Sequence, residues 1–126
     1  MKKIKILIVE DETLIALSLK SQLLRAGYEV CTLASTAKQA IDIVLKEAPD
    51  FVLIDIRLPG DMDGIEAARQ IGACSTAQII FASGYSDPAL QQSAMSVHPA
   101  AYLIKPVDVD DIESVVRSIK LKEEAE

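Results

Sequence analysis

Short apolar runs and amphipathic stretches alternate along the chain. Aliphatic, β-branched and small residues gather at 4–9, 28–33, 51–55, 79–83 and 101–104, lengths that suit strands rather than helices. Between these runs the apolar positions recur at spacings of three and four. After Thr36 the stripe is Ala37, Ala40, Ile41, Val44, Leu45 and Ala48, and near the end it is Ile112, Val115, Val116 and Ile119. That spacing marks one face of a helix. The boundary residues agree. Thr36 with Gln39, and Asp63 with Glu66, have the form of an N-cap and its N3 partner. Asp87-Pro88 and Asp108 open the fourth and fifth helices, and Gly27 closes the first. Acidic residues crowd the start of the last helix and Lys120 and Lys122 lie near its end, as the helix dipole favours.

The pattern predicts five strands alternating with five helices. The runs at 4–9, 51–54 and 79–82 are almost continuously apolar, as expected of strands covered on both faces. Right-handed crossovers then give an α/β fold with a doubly wound, five-stranded parallel sheet.

Composition narrows this only slightly. A chain of 126 residues, half of them apolar, suits one domain spanning 1–126 with a core of its own. With two Phe, three Tyr and no Trp, that core must be built from Ile, Leu, Val and Ala. The formal charge of −6 argues against direct nucleic-acid or membrane binding by bulk electrostatics. The N-terminal apolar run is too short for a signal peptide or a span, so a soluble, cytoplasmic protein is expected. Cys31 and Cys74 form no CxxC or Cys/His cluster and read as two buried or half-buried thiols in a reducing compartment. The charged tail at 120–126 fits either a natural end or a cut at a helical linker.

The chemistry gathers where the strands end, which is where doubly wound sheets bind ligands. The first strand ends in Glu10-Asp11-Glu12, the third in Asp55, the fourth in Ser83-Gly84 and the fifth in Lys105-Pro106. Facing carboxylates repel unless a cation intervenes. A small set of hard oxygen donors with room for water suits Mg²⁺ better than zinc or copper.

Together these segments resemble the receiver (response regulator) family over essentially the whole chain. The likeness is carried by Ile6-Leu7-Ile8-Val9-Glu10-Asp11-Glu12, by the run from Asp55 to Glu66, by Phe81-Ala82-Ser83-Gly84 and by Tyr102-Leu103-Ile104-Lys105-Pro106. The resemblance implies a flavodoxin-like sheet of order 2-1-3-4-5. It implies phosphorelay signalling, with Asp55 as the nucleophile toward a phosphohistidine on a histidine kinase or phosphotransfer domain. Mg²⁺ would be held by Asp11, Asp55 and the backbone carbonyl of Arg57, with Glu10 reaching it through water. Lys105, before a cis-proline, would meet the phosphoryl oxygens, and Ser83 would offer them its hydroxyl. Movement of Ser83 would couple to a rotamer change of Tyr102, altering the surface of the fourth helix, fifth strand and fifth helix, where a homodimer could also form. Gly64 and Pro59 would shape the loop after Asp55. His98, the single histidine, reads as a solvated turn residue.

Three other readings compete. A flavodoxin-like electron carrier needs a hydroxyl- and glycine-rich loop for the cofactor phosphate, where this chain has three acids. An aspartyl-phosphate phosphatase typically places a second aspartate, as general acid, two residues past its nucleophile, where this chain has Arg57. A receiver-like module that works by protein contacts without phosphorylation is the remaining alternative. The chain also departs from the commonest receiver pattern. Glu10 stands where aspartate is more usual, and the loop at 57–63 is one residue longer than in compact members, with Gly60 and Asp61 in the extra turn. Arg57 and Tyr85, each two residues past a site residue, are hypothesised to slow the water that hydrolyses an acyl phosphate. Arg57→Ala and Tyr85→Ala should therefore shorten the phosphoryl half-life; an unchanged half-life in both would refute the idea.

Overall fold

The middle of the sheet comes from the three most apolar runs in the sequence. In the computed structural model, which describes residues 3–84 and 88–125, these are β1 (Lys5–Val9), β3 (Phe51–Asp55) and β4 (Gln78–Ser83). The outer strands are β2 (Glu29–Val30) and β5 (Ala101–Ile104). The helices are α1 (Thr13–Arg25), α2 (Ala37–Glu47), α3 (Gly64–Cys74), α4 (Pro88–Met95) and α5 (Val109–Ala125). All pairings are parallel and the order is β2-β1-β3-β4-β5, so the predicted fold class and strand order hold. Among the described residues, no helix is long and apolar enough to cross a membrane.

Strand alternation divides the core in two. Leu7, Val9, Val52, Ile54, Ile79 and Phe81 pack with α2, α3 and α4 residues such as Val44, Ile71 and Ala94. Ile6, Ile8, Phe51, Leu53, Ile80 and Ala82 pack with Leu19 and Leu23 of α1 and with Ile112 and Val116 of α5. Each fully buried aliphatic side chain is worth about 1.5–3 kcal/mol over an exposed one. The two layers of helices are therefore both held to the sheet by the same three strands.

The caps follow the sequence with some corrections. Thr36 accepts from the Gln39 N–H at 3.2 Å, and the Gln39 side chain accepts in return from the Ser35 N–H at 2.9 Å. Asp63 accepts from the Glu66 N–H at 2.9 Å, but the Glu66 carboxylate turns to Arg69 and Gln70 rather than back to the cap. Asp108 and Asp111 form a reciprocal pair of caps at the start of α5, both at 3.1 Å. Gly27, at φ 98, ends α1. Its N–H and that of Tyr28 donate to Leu24 and Leu23 carbonyls at 3.1 Å, a pairing that requires the left-handed conformation. Asp87, the expected opener of the fourth helix, lies outside the described residues, as does Tyr85.

The second strand is shorter than the run at 28–33 predicts. Ile6 pairs with Val30, whereas Val9 bridges Ala34, so the outer chain carries one more residue than β1 over the same length. The ladder breaks there as at a bulge, although the Ala34 N–H still donates to Ile8 and the Glu10 N–H to Ala34.

The thiols are unequal. Cys31 is buried, as expected, but Cys74, at the end of α3, is exposed. Burial, reinforced by the Glu47 carboxylate, pushes the Cys31 thiol up to about 11, which suppresses its thiolate at neutral pH. A thiol-reactive probe on the native protein at mildly alkaline pH should label Cys74 quickly, and Cys31 only after denaturant is added. Rapid native labelling at both sites, read by peptide mass, would contradict the placement.

Candidate functional site

Glu10, Asp55 and Lys105 converge because β1, β3 and the chain leaving β5 end at one rim with their side chains on one side. Alternation puts Glu10 in line with Ile6 and Ile8, and Asp55 in line with Phe51 and Leu53. Both carboxylates are 7% exposed. Asp11, one residue beyond Glu10, is exposed. Carboxylate oxygens of Glu10, Asp11 and Asp55 all lie within 4.8 Å of one another.

The Lys105 ammonium serves two of these carboxylates. The Lys105 Nζ donates to Asp55 Oδ2 at 2.7 Å and to Glu10 Oε1 at 3.2 Å. The other oxygen of each buried acid is held by main chain. Asp55 Oδ1 accepts from the Arg57 N–H, and Glu10 Oε2 from the Glu12 N–H, both at 3.0 Å. Burial lifts the Glu10 pKa above the ordinary carboxylate value, against the opposing pull of the Glu12 N–H and of Lys105. For Lys105, burial alone would lower the pKa, but hydrogen bonds and attraction from Asp55 and Glu10 outweigh it and raise it. Three carboxylates gathered around one lysine ammonium make a cluster of hard oxygen donors of the kind that suits a divalent ion.

The expected site residues thus fall into two groups. Glu10, Asp11, Asp55 and Lys105 meet, and the Lys105-Pro106 bond is cis. Ser83 ends β4, buried, and its carbonyl accepts from the Lys105 N–H at 2.8 Å. Alternation sends the Ser83 side chain to the opposite layer, that of Phe81 and Tyr102. Tyr102 is half-buried against that layer. Its hydroxyl is buried with no hydrogen-bond partner among the described residues, so it is not joined to Ser83 by a hydrogen bond. Arg57 contributes its N–H to Asp55, a contact not foreseen in the sequence. His98 is exposed at φ 54, consistent with a turn residue.

Two further features escaped the sequence reading. A cavity of about 300 Å³ opens beside Asp55 and Lys105, walled by Ile15, Leu19, Leu53, Pro106 and Val107. The signal for it was the apolar excess of α1, whose Leu14, Ile15 and Leu17 are exposed while Ala16 and Leu19 are buried. The second feature is the fit of Gly64. A Cβ built there would stand 2.2 Å from the Asp55 carbonyl oxygen and 2.8 Å from the Ile56 Cα, and the Gly64 N–H donates to the Ile56 carbonyl at 2.8 Å. The first residue of α3 therefore rests directly on the main chain that carries Asp55.

A family model described as "Response regulator receiver domain" matches residues 6–117. "Transcriptional regulatory protein PdtaR" of Mycobacterium tuberculosis is 33% identical over 108 residues, covering 86% of this chain and 52% of the relative. The chain thus spans about half the length of that protein. "Sporulation initiation phosphotransferase F" of Bacillus subtilis is 34% identical over 114 residues, 90% of each chain. Among solved structures, the signal receiver domain of a modulated diguanylate cyclase from Desulfovibrio desulfuricans G20 aligns with a TM-score of 0.89 and 34% identity. That alignment covers 99% of this chain and 100% of the other.

Gly64→Ala should lower stability by about 1–3 kcal/mol or more, the range for forcing atoms into packed space, because the obstacle is main chain. A denaturant midpoint equal to that of the parent protein would show that the contact is relieved at no cost.

Proposed function

The chain belongs to the response regulator receiver family, and on that premise we propose that Asp55 is the phosphoacceptor of a phosphorelay, supplied by a phosphohistidine on a histidine kinase or phosphotransfer domain. Membership makes the domain a regulatory part of two-component signalling rather than a conventional enzyme. The observation that carries the assignment is the setting of Asp55. It is a carboxylate on a buried strand end, with an ammonium at 2.7 Å and two more carboxylates within 4.8 Å.

In the proposed transfer, one Asp55 oxygen bonds to phosphorus while the phosphorus–nitrogen bond to the donor imidazole breaks, its electron pair staying with the imidazole nitrogen. A carboxylate is a weak nucleophile, so the protein contributes mainly position and charge balance. The Arg57 N–H on Oδ1 and Lys105 on Oδ2 fix the rotation of the Asp55 carboxylate. Lys105 would supply a point positive charge to the incoming phosphoryl oxygens, and Ser83, at the end of the neighbouring strand, a hydroxyl. The donor set fits Mg²⁺, a hard ion: Asp11, Asp55 and the Arg57 carbonyl would hold it, with Glu10 reaching it through water. Bound there, it would neutralise charge on the transferring group.

Signalling would follow through the α4-β5-α5 surface, with Ser83 and Tyr102 as its switch. The buried, unpartnered Tyr102 hydroxyl supports this, since such a group gains by finding a partner elsewhere. Met95 and Ile104, 49% and 48% exposed on that surface, supply apolar area for a partner or a second copy. The proposal covers one receiver unit over 1–126, in the cytoplasm, with no nucleic-acid or membrane contact of its own. Incubation with Mg²⁺ and acetyl phosphate should add the mass of one phosphoryl group, lost in Asp55→Asn and on chelation. An unmodified protein would instead favour a module working by contacts alone.

A further inference from the structure

The ammonium that balances the acidic rim rests on oxygens of two of the three carboxylates assigned above to cation binding. We propose that Lys105 is a built-in competitor of the divalent cation, so that this residue sets the cation affinity of the site below what its carboxylates alone would give. The inference rests on the metal reading of the site and deepens it.

The geometry leaves little room for both charges to act independently. Lys105 Nζ is 2.7 Å from Asp55 Oδ2 and 3.2 Å from Glu10 Oε1. The remaining oxygens of these two acids each accept a main-chain N–H, from Arg57 and Glu12. All four oxygens of the buried pair therefore already carry one hydrogen bond, and Asp11 is the exposed member of the three. Mg²⁺ binds oxygen at about 2.0–2.1 Å, so an ion on these oxygens would stand within a few ångströms of the ammonium. Their repulsion is felt more strongly than at an open surface, because the Lys105 side chain is only 29% exposed and its partners 6% and 8%. The main chain of Lys105 is tied as well, through its N–H to the Ser83 carbonyl.

Glu10 strengthens the competition in this chain. Its side chain spans from the Glu12 N–H at one oxygen to Lys105 at the other, giving the ammonium a second anchor besides Asp55. Coupling between two ligands of one site is reciprocal. Lys105 therefore holds Asp55 less tightly when a divalent cation is bound, which leaves the ammonium available to an anionic group arriving at Asp55.

The test is a Mg²⁺ titration with no phosphodonor, following the amide signals of Glu10, Asp11 and Asp55 by NMR at mildly alkaline pH. It compares the parent protein with Lys105→Met, which keeps the aliphatic stem, and Lys105→Arg, which keeps the charge. Lys105→Met should bind Mg²⁺ on the order of tenfold more tightly, while Lys105→Arg stays within about threefold of the parent. Shifts at the three acids with equal or weaker affinity in Lys105→Met would overturn the competition while leaving the metal site standing. So would equal tightening in Lys105→Arg. No response in either the parent or Lys105→Met would overturn the inference together with the metal reading.

Discussion

Everything at the rim depends on how buried negative charge is compensated. Glu10 and Asp55 are each 7% exposed, and an isolated carboxylate so buried would give up its charge rather than keep it. The ion pairs with Lys105 and the N–H donors of Glu12 and Arg57 meet that requirement in part. They fix the carboxylates in place beside the exposed Asp11. The same contacts that stabilise the acids are thus the ones that would, on the proposed function, present the rim to a hard cation and a phosphoryl group. An apolar isostere of the pair would remove the charge cost but also the chemistry.

Much of this was readable along the chain. The apolar runs of β1, β3 and β4 identify buried parallel strands because covered strands have no polar face. Once the sheet is parallel, its carboxyl ends select Glu10, Asp11, Asp55, Ser83 and Lys105 without any knowledge of distances. The outline of the site is therefore a matter of topology. What stayed hidden depends on packing between segments remote in sequence. Where β2 breaks off, the Thr32 N–H donates to the Glu47 side chain at the end of α2, a contact that the propensity of residues 28–33 does not contain. Glu66 turns toward Arg69 because an i,i+3 ion pair competes with the capping box. The division of Lys105 between two acids requires the reach of each side chain, which a one-letter pattern does not contain.

The site also joins the two halves of the core. Alternation places Asp55, Glu10 and Lys105 with the α1 and α5 layer, and Ser83 and Tyr102 with the layer of α2, α3 and α4. Gly64 ties α3 directly to the Asp55 main chain, so the second layer is linked to the acidic rim through backbone as well as through the sheet.

The truncated β2 has a bearing on how the molecule meets its own copies. An exposed strand edge is a template for further strands, and long flat edges invite uncontrolled stacking. Here one border of the sheet offers only Glu29–Val30 in regular pairing before the extra residue throws the ladder out of step. An incoming chain finds no continuous row of free amides there. That border resists zippering by a further strand.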